Sequence, residues 1–301
     1  MEENKTLAYA IHLISNGRKE EATKILISLS RSGNIDARLQ AIDYLLSTLD
    51  QIKDNKLVIQ LCNDGITNSQ KQNRFDNLAY FKIKKAIAIS IKIGGWKYSR
   101  RMLKLSPDWF NFSTEKDEKA YKELDKKIKQ KEKEVQQLQK ESLNYVEQTD
   151  NKQLIGMIYL YRSSIWQNRS AELKVDKITR TVPILPGGRL KDLLQYKKSD
   201  LKLVDEYFDK SIADIHTAIQ AFTEIEDQEM ISYCLNNMAN SYIHAYKFAQ
   251  ASNTIKKLEK AMEGTDNKQL VNNLKDLKSR VKSKNKNIPN YLEEYQDFMM
   301  E

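Results

Sequence analysis

Leu7, Ala10, Ile11 and Ile14 recur at three- and four-residue steps, the pattern stops at Asn16-Gly17, and Ala22, Ile25, Leu26 and Leu29 resume it. A period of about 3.6 residues gathers each set on one side of a helix, so this stretch predicts a helical hairpin. Comparable stripes run from Ile35 to Leu49, Leu57 to Ile66, Leu78 to Ile93 and Trp96 to Leu105, separated by Asp, Asn and Gly clusters. Five or six helices are therefore expected before Pro107. From about Thr114 to Gln148 there is neither Gly nor Pro, and apolar or aromatic residues fall at Tyr121, Leu124, Ile128, Val135, Leu138 and Tyr145. That heptad-like seam, interrupted by Lys131 and Ser142, predicts one long helix with a modest stripe and does not require a coiled-coil dimer.

The hexapeptide TDNKQL occurs at Thr149 to Leu154 and again at Thr265 to Leu270. Asp150 and Asp266 are placed to cap a new helix, with Gln153 and Gln269 reaching back in a capping box. Downstream, Ile155, Ile158 and Tyr161 of the first copy match Val271, Leu274 and Leu277 of the second in offset. The word is read as a helix-entry signal within a helical-repeat chain.

A more specific pattern lies at Leu235, Met238, Ala239 and Tyr242, followed by a turn at Tyr246 to Phe248 and then by Ala251 and Ile255. Thr6, Tyr9, Ala10, Leu13, Gly17, Ala22 and Leu26 fall on the same template. Both stretches resemble the tetratricopeptide repeat, over about residues 3 to 34 and 232 to 264, with Asn34 and Glu263 in the slot of the closing Pro. The resemblance implies an all-α protein of stacked antiparallel hairpins in a right-handed superhelical solenoid, binding other proteins in its groove. In that family Asn and Lys on inner helices clamp acidic peptide ends, a part that falls here to Asn237 and Asn240.

Composition fits this picture. Nine Gly and four Pro in 301 residues leave few breaks, and 40% hydrophobic content supplies a core. The stretch from Lys174 to Gly188, with Pro183 and Pro186 in TVPILPGG, is expected to be irregular: either a connector or a loop lying in the groove. The expected organisation is N-terminal hairpins over 1–112, a long helix and its successor over 113–171, the irregular insert over 172–196, and C-terminal hairpins over 197–301. The last of these would end in an amphipathic helix carrying Tyr291, Leu292, Tyr295, Phe298 and Met299, as a cap on the array or a docking helix. The opening MEENKTLAYA lacks the basic and apolar regions of a signal peptide, and no long apolar run occurs, so a cytoplasmic chain with no membrane partner is expected.

Charge changes the picture most. The formal net charge is +9, and Asn77 to Pro107 holds eight basic residues and no acid. Lys97, Arg100, Arg101 and Lys104 share one helical face, with Lys82 and Lys85 upstream and Tyr80, Phe81, Trp96 and Tyr98 interleaved. Such a face attracts an acidic protein segment or nucleic-acid phosphates, or it serves as a solubilising surface around buried aromatics. Thr114 to Glu141 carries nine Lys and eight acids, which reads as a solvated face laced with ion pairs.

Nothing in the chain points to catalysis or a cofactor. His12, His216 and His244 lack partners at metal-ligand spacing, Cys62 and Cys234 read as buried small hydrophobes, and PGGR lacks the phosphate-loop spacing. The expectation is a non-catalytic scaffold or adaptor without metal or cofactor, binding a protein or peptide through Lys82, Lys85, Lys97, Arg100, Arg101, Lys104, Asn237 and Asn240. The alternative is a nucleic-acid-binding helical array that uses the same basic face.

Overall fold

The computed structural model describes residues 2–105, 115–181, 198–245, 247–264 and 266–283. Among them are eleven helices and no strand: α1 (Glu2–Ser15), α2 (Lys19–Leu29), α3 (Ile35–Thr48), α4 (Asn55–Lys71), α5 (Phe75–Leu105), α6 (Glu115–Val146), α7 (Lys152–Thr181), α8 (Lys198–Glu224), α9 (Gln228–His244), α10 (Phe248–Ala261) and α11 (Lys268–Ser283). No helix of the described residues is long and apolar enough to cross a membrane.

The chain forms two compact units, one of Met1–Ile93 with Lys126–Asp150 and one of Gly94–Asp125 with Asn151–Glu301. In the first, α1 packs on α2 and also on α3, α2 on α3, and α3 on α4. Ala10 and Ala22 are fully buried where α1 and α2 approach, because short side chains permit close backbones. The core joins Leu7, Leu26, Ile42, Leu45, Val58, Leu61 and Phe81. The Asn34 side chain caps α3 by accepting from the Ala37 amide at 3.1 Å. The α1 helix stops where expected, since Gly17 takes φ +77 and the Arg18 amide reaches back to the Leu13 carbonyl at 2.9 Å.

In the second unit α7 packs on α8, α8 on α9, and α9 on both α10 and α11. Phe222, Met238, Ala239, Ala251, Ile255 and Leu270 lie in its core. The α9 helix ends at His244 and α10 already begins at Phe248, the last residue of the expected turn, while Tyr246 lies outside the described residues.

Each unit contains a glycine that faces a phenylalanine ring. A Cβ on Gly65 of α4 would meet the Phe81 ring at 2.7 Å, and one on Gly156 of α7 would meet the Phe222 ring at 2.6 Å. Phe81 and Phe222 are 2% and 0% exposed, so neither ring has room to retreat.

Three expectations change. Leu78 to Ile93 and Trp96 to Leu105 are one helix, α5, with Gly94 and Gly95 buried inside it. Glycine costs a helix about 1 kcal/mol relative to alanine and does not by itself end it. The helix α7 runs to Thr181, well into the stretch read as irregular from Lys174. Pro183 disfavours helix only for itself and the residue before it, which leaves Thr181 free to close α7. The caps of TDNKQL are the asparagines: Asn151 accepts from the Leu154 amide at 3.0 Å, and Asn267 from Gln269 and Leu270 at 3.1 Å. Asp150 and Asp266 lie one residue too early, so the capping box does not form, while the word does open a helix in both copies. The remainder of the insert, 182–196, and the C-terminal helix expected over 289–299 lie outside the described residues.

Candidate functional site

The basic side of α5 is met by α6. The two helices run antiparallel, with Phe75 stacked on Tyr145 at 5.8 Å between ring centroids. Ser142 donates to the Ala79 carbonyl at 2.7 Å. Ser142 is thus no gap in the α6 seam. It is fully buried and supplies a hydrogen bond between the helices. Of that stripe Ile128, Val135 and Leu138 are buried, as is the neighbouring Val146, and Tyr121, Leu124 and Tyr145 are half-buried.

This register brings acids onto the lysines. Lys82, only 7% exposed, places Nζ 2.5 Å from Glu141 Oε2 and 5.8 Å from the Tyr145 ring centroid. Lys85 Nζ lies 3.1 Å from Glu134 Oε1. Burial works to raise both carboxyl groups, but hydrogen bonds from Lys82 and Gln137 to Glu141, and from Lys131 and Lys85 to Glu134, outweigh it and leave both below the ordinary glutamate value. In the second unit Arg100 Nη1 sits 2.5 Å from Asp125 Oδ1, and its guanidinium lies 5.9 Å from the Tyr121 ring centroid. Lys97 is half-buried and likewise engaged. Arg101 and Lys104 are on α5, and their side chains lie outside the described ones.

The aromatics expected among these cations are core residues. Phe81 is 2% exposed, Tyr98 is buried, and Tyr80 and Trp96 are half-buried, which leaves no open stacking platform in this group. Asn240 is also committed, its Oδ1 accepting from Arg280 Nη1 at 2.8 Å and so tying α11 to α9. Asn237 is half-buried on α9, and its backbone carbonyl accepts from Ser241 Oγ at 2.8 Å. The structure therefore brings Lys82 and Lys85 together against α6, and it gives Arg100 and Asn240 structural partners instead of a shared face.

Two features escaped the sequence reading. On α8, Asp214 is 4% exposed and accepts from Arg162 through both oxygens, with Arg162 Nε at 2.7 Å, and from Trp166 Nε1 at 3.1 Å. Arg162 and Trp166 stand four residues apart on α7, so one acid reaches both. A signal existed: Asp214 interrupts the apolar positions Ile212, Ile215 and Ala218. Trp166 also stacks on Tyr207 at 5.6 Å, with the Arg169 guanidinium and Lys210 Nζ each 5.3 Å from its ring centroid. The second feature is the sorting of charge across α6. Its acids Glu134 and Glu141 turn to α5, whereas every exposed residue from Lys126 to Asn144 is a lysine or a side-chain amide.

Neither protein-family models nor curated proteins provide a match to the chain.

Proposed function

We propose that the chain is a non-catalytic scaffold, a right-handed array of helical hairpins of tetratricopeptide type that holds a segment of another protein. One observation carries this reading: α1 packs on both of the next two helices, and α9 does the same. In a plain helical bundle a helix need not pack on both its first and second successors, whereas in a hairpin array the first helix of one unit packs on its own partner and on the first helix of the next. The pairing of Lys82, Lys85 and Arg100 with carboxylates weighs against α5 as a nucleic-acid face, and this reading takes the first helices of the hairpins as the capture surface. Asn237, half-buried on α9, is the residue this reading assigns to that contact.

The test is affinity purification from native extract, followed by calorimetric titration of each purified candidate with the purified chain. A one-to-one complex weakened roughly tenfold by Asn237→Ala supports the reading, a loss equivalent to about 1.4 kcal/mol. Failure of every recovered candidate to rebind the purified chain overturns it.

A further inference from the structure

On α5, Lys82, Lys85 and Arg100 are paired with carboxylates of α6, whereas several lysines of α6 point to solvent. Between Lys126 and Asn144, within the first unit, the exposed positions of α6 hold only lysines and amides, and the acids Glu132, Glu134 and Glu141 are all half-buried. Lys126, Lys133 and Lys140 repeat every seven residues, so they form a row along one side of the helix. At about 1.5 Å per residue the row is roughly 21 Å long. Gln130 and Gln137 lie within it and Lys127 flanks it, and among the described residues none of these four lysines is paired with a carboxylate.

We infer that this face of α6 binds the phosphate backbone of a nucleic-acid duplex, without reading its sequence. The chemistry of the face selects the ligand. A protein partner would need an apolar or aromatic centre to gain affinity, and no exposed apolar residue occurs between Lys126 and Asn144. A single strand is held by stacking on aromatic rings, and none is exposed there. A row of point charges suits a polyanion, whose released counterions drive binding, and a duplex carries about one charge per 1.7 Å of its axis, both strands counted. The amides Gln130 and Gln137 add donors to phosphate oxygens, though Gln137 Nε2 also donates to Glu141 at 2.7 Å. This inference is independent of the scaffold reading, because it uses neither the hairpin groove nor Asn237.

The experiment is fluorescence anisotropy of labelled duplex RNA and duplex DNA with the full chain, from 50 to 200 mM salt. Four lysine contacts predict a logarithmic salt slope of about −3.6, a fall in affinity of roughly 150-fold across that range. The variant Lys126→Gln/Lys127→Gln/Lys133→Gln/Lys140→Gln is expected to lose binding at 50 mM and to keep its circular dichroism. A control, Lys19→Gln/Lys24→Gln/Lys56→Gln/Lys71→Gln, removes the same formal charge from other exposed positions. It should bind as wild type does. Equal losses in both variants, no duplex binding at 50 mM, or tighter binding of single strands or of polyglutamate than of duplex each overturn the inference.

Discussion

Lys82 is the most informative side chain to perturb, because it was a candidate ligand contact and is instead a structural cation. Its side chain is 9% exposed and that of Glu141 is 32% exposed. The pair lies between exposed ion pairs, worth roughly 0–1 kcal/mol, and buried ones, whose breakage costs about 3–5 kcal/mol. Lys82→Met preserves the length of the stem and removes the ammonium. Glu141 then keeps its hydrogen bond from Gln137 and its access to water, so the loss should be about 2 kcal/mol. Glu141→Leu strands the more buried ammonium and should cost about 3 kcal/mol. If the two groups act on each other, the double variant is no less stable than Glu141→Leu alone, a coupling of about 2 kcal/mol. Urea unfolding followed by far-ultraviolet circular dichroism, run on the complete cycle, reads each value. Additive losses, or a Lys82→Met chain as stable as wild type, would refute the assignment of Lys82 to the α5–α6 contact.

Three further outcomes follow from the same geometry. Asn151→Ala and Asn267→Ala should each cost about 1 kcal/mol in urea unfolding as lost helix caps, while Asp150→Ala and Asp266→Ala stay within about 0.5 kcal/mol; the reverse ranking would restore the capping box. Glu134 and Glu141 titrate below the ordinary value of 4.5 in the folded chain, so their contribution is complete above that pH and is lost as the pH falls through their lowered values. The urea midpoint should therefore drop on acidification below about pH 4.5, and less so in Lys82→Met/Lys85→Met. Burial pushes the Cys62 and Cys234 thiols up to about 12, so alkylation detected by mass spectrometry should be negligible in the native chain at neutral pH and rapid in guanidinium; fast native labelling of either would contradict its burial.

The helices were legible because apolar periodicity is a local property, and it placed α1 to α4, α6, α9 and α10 at sequence level. The Gly94-Gly95 pair misled because the cost of two glycines is set against tertiary burial that no local window contains. The cap moved from aspartate to asparagine for a similar reason, since one residue of register decides which side chain faces the free amides, and TDNKQL offers two adjacent candidates. The basic face misled more instructively. Eight cations without an acid in the stretch from Asn77 to Pro107 look like a surface awaiting a ligand. The compensating acids lie on α6, from 25 to 59 residues further along for the observed pairs. Counting Lys and Glu in α6 as mutually cancelling hid the fact that, from Lys126 to Asn144, the exposed positions hold lysines and amides while the acids are half-buried. A helical-wheel comparison of the two acid-bearing and acid-free stretches would have exposed it.

The two glycine and phenylalanine contacts also bear on descent. Gly65 can accept a larger side chain only after Phe81 has become smaller, and a smaller residue at 81 leaves a void until position 65 enlarges. Either order passes through a weaker protein, so each step is selected against unless the other has already occurred. Positions 65 and 81, and likewise 156 and 222, should therefore change together across related chains, each pair inherited as one unit of variation.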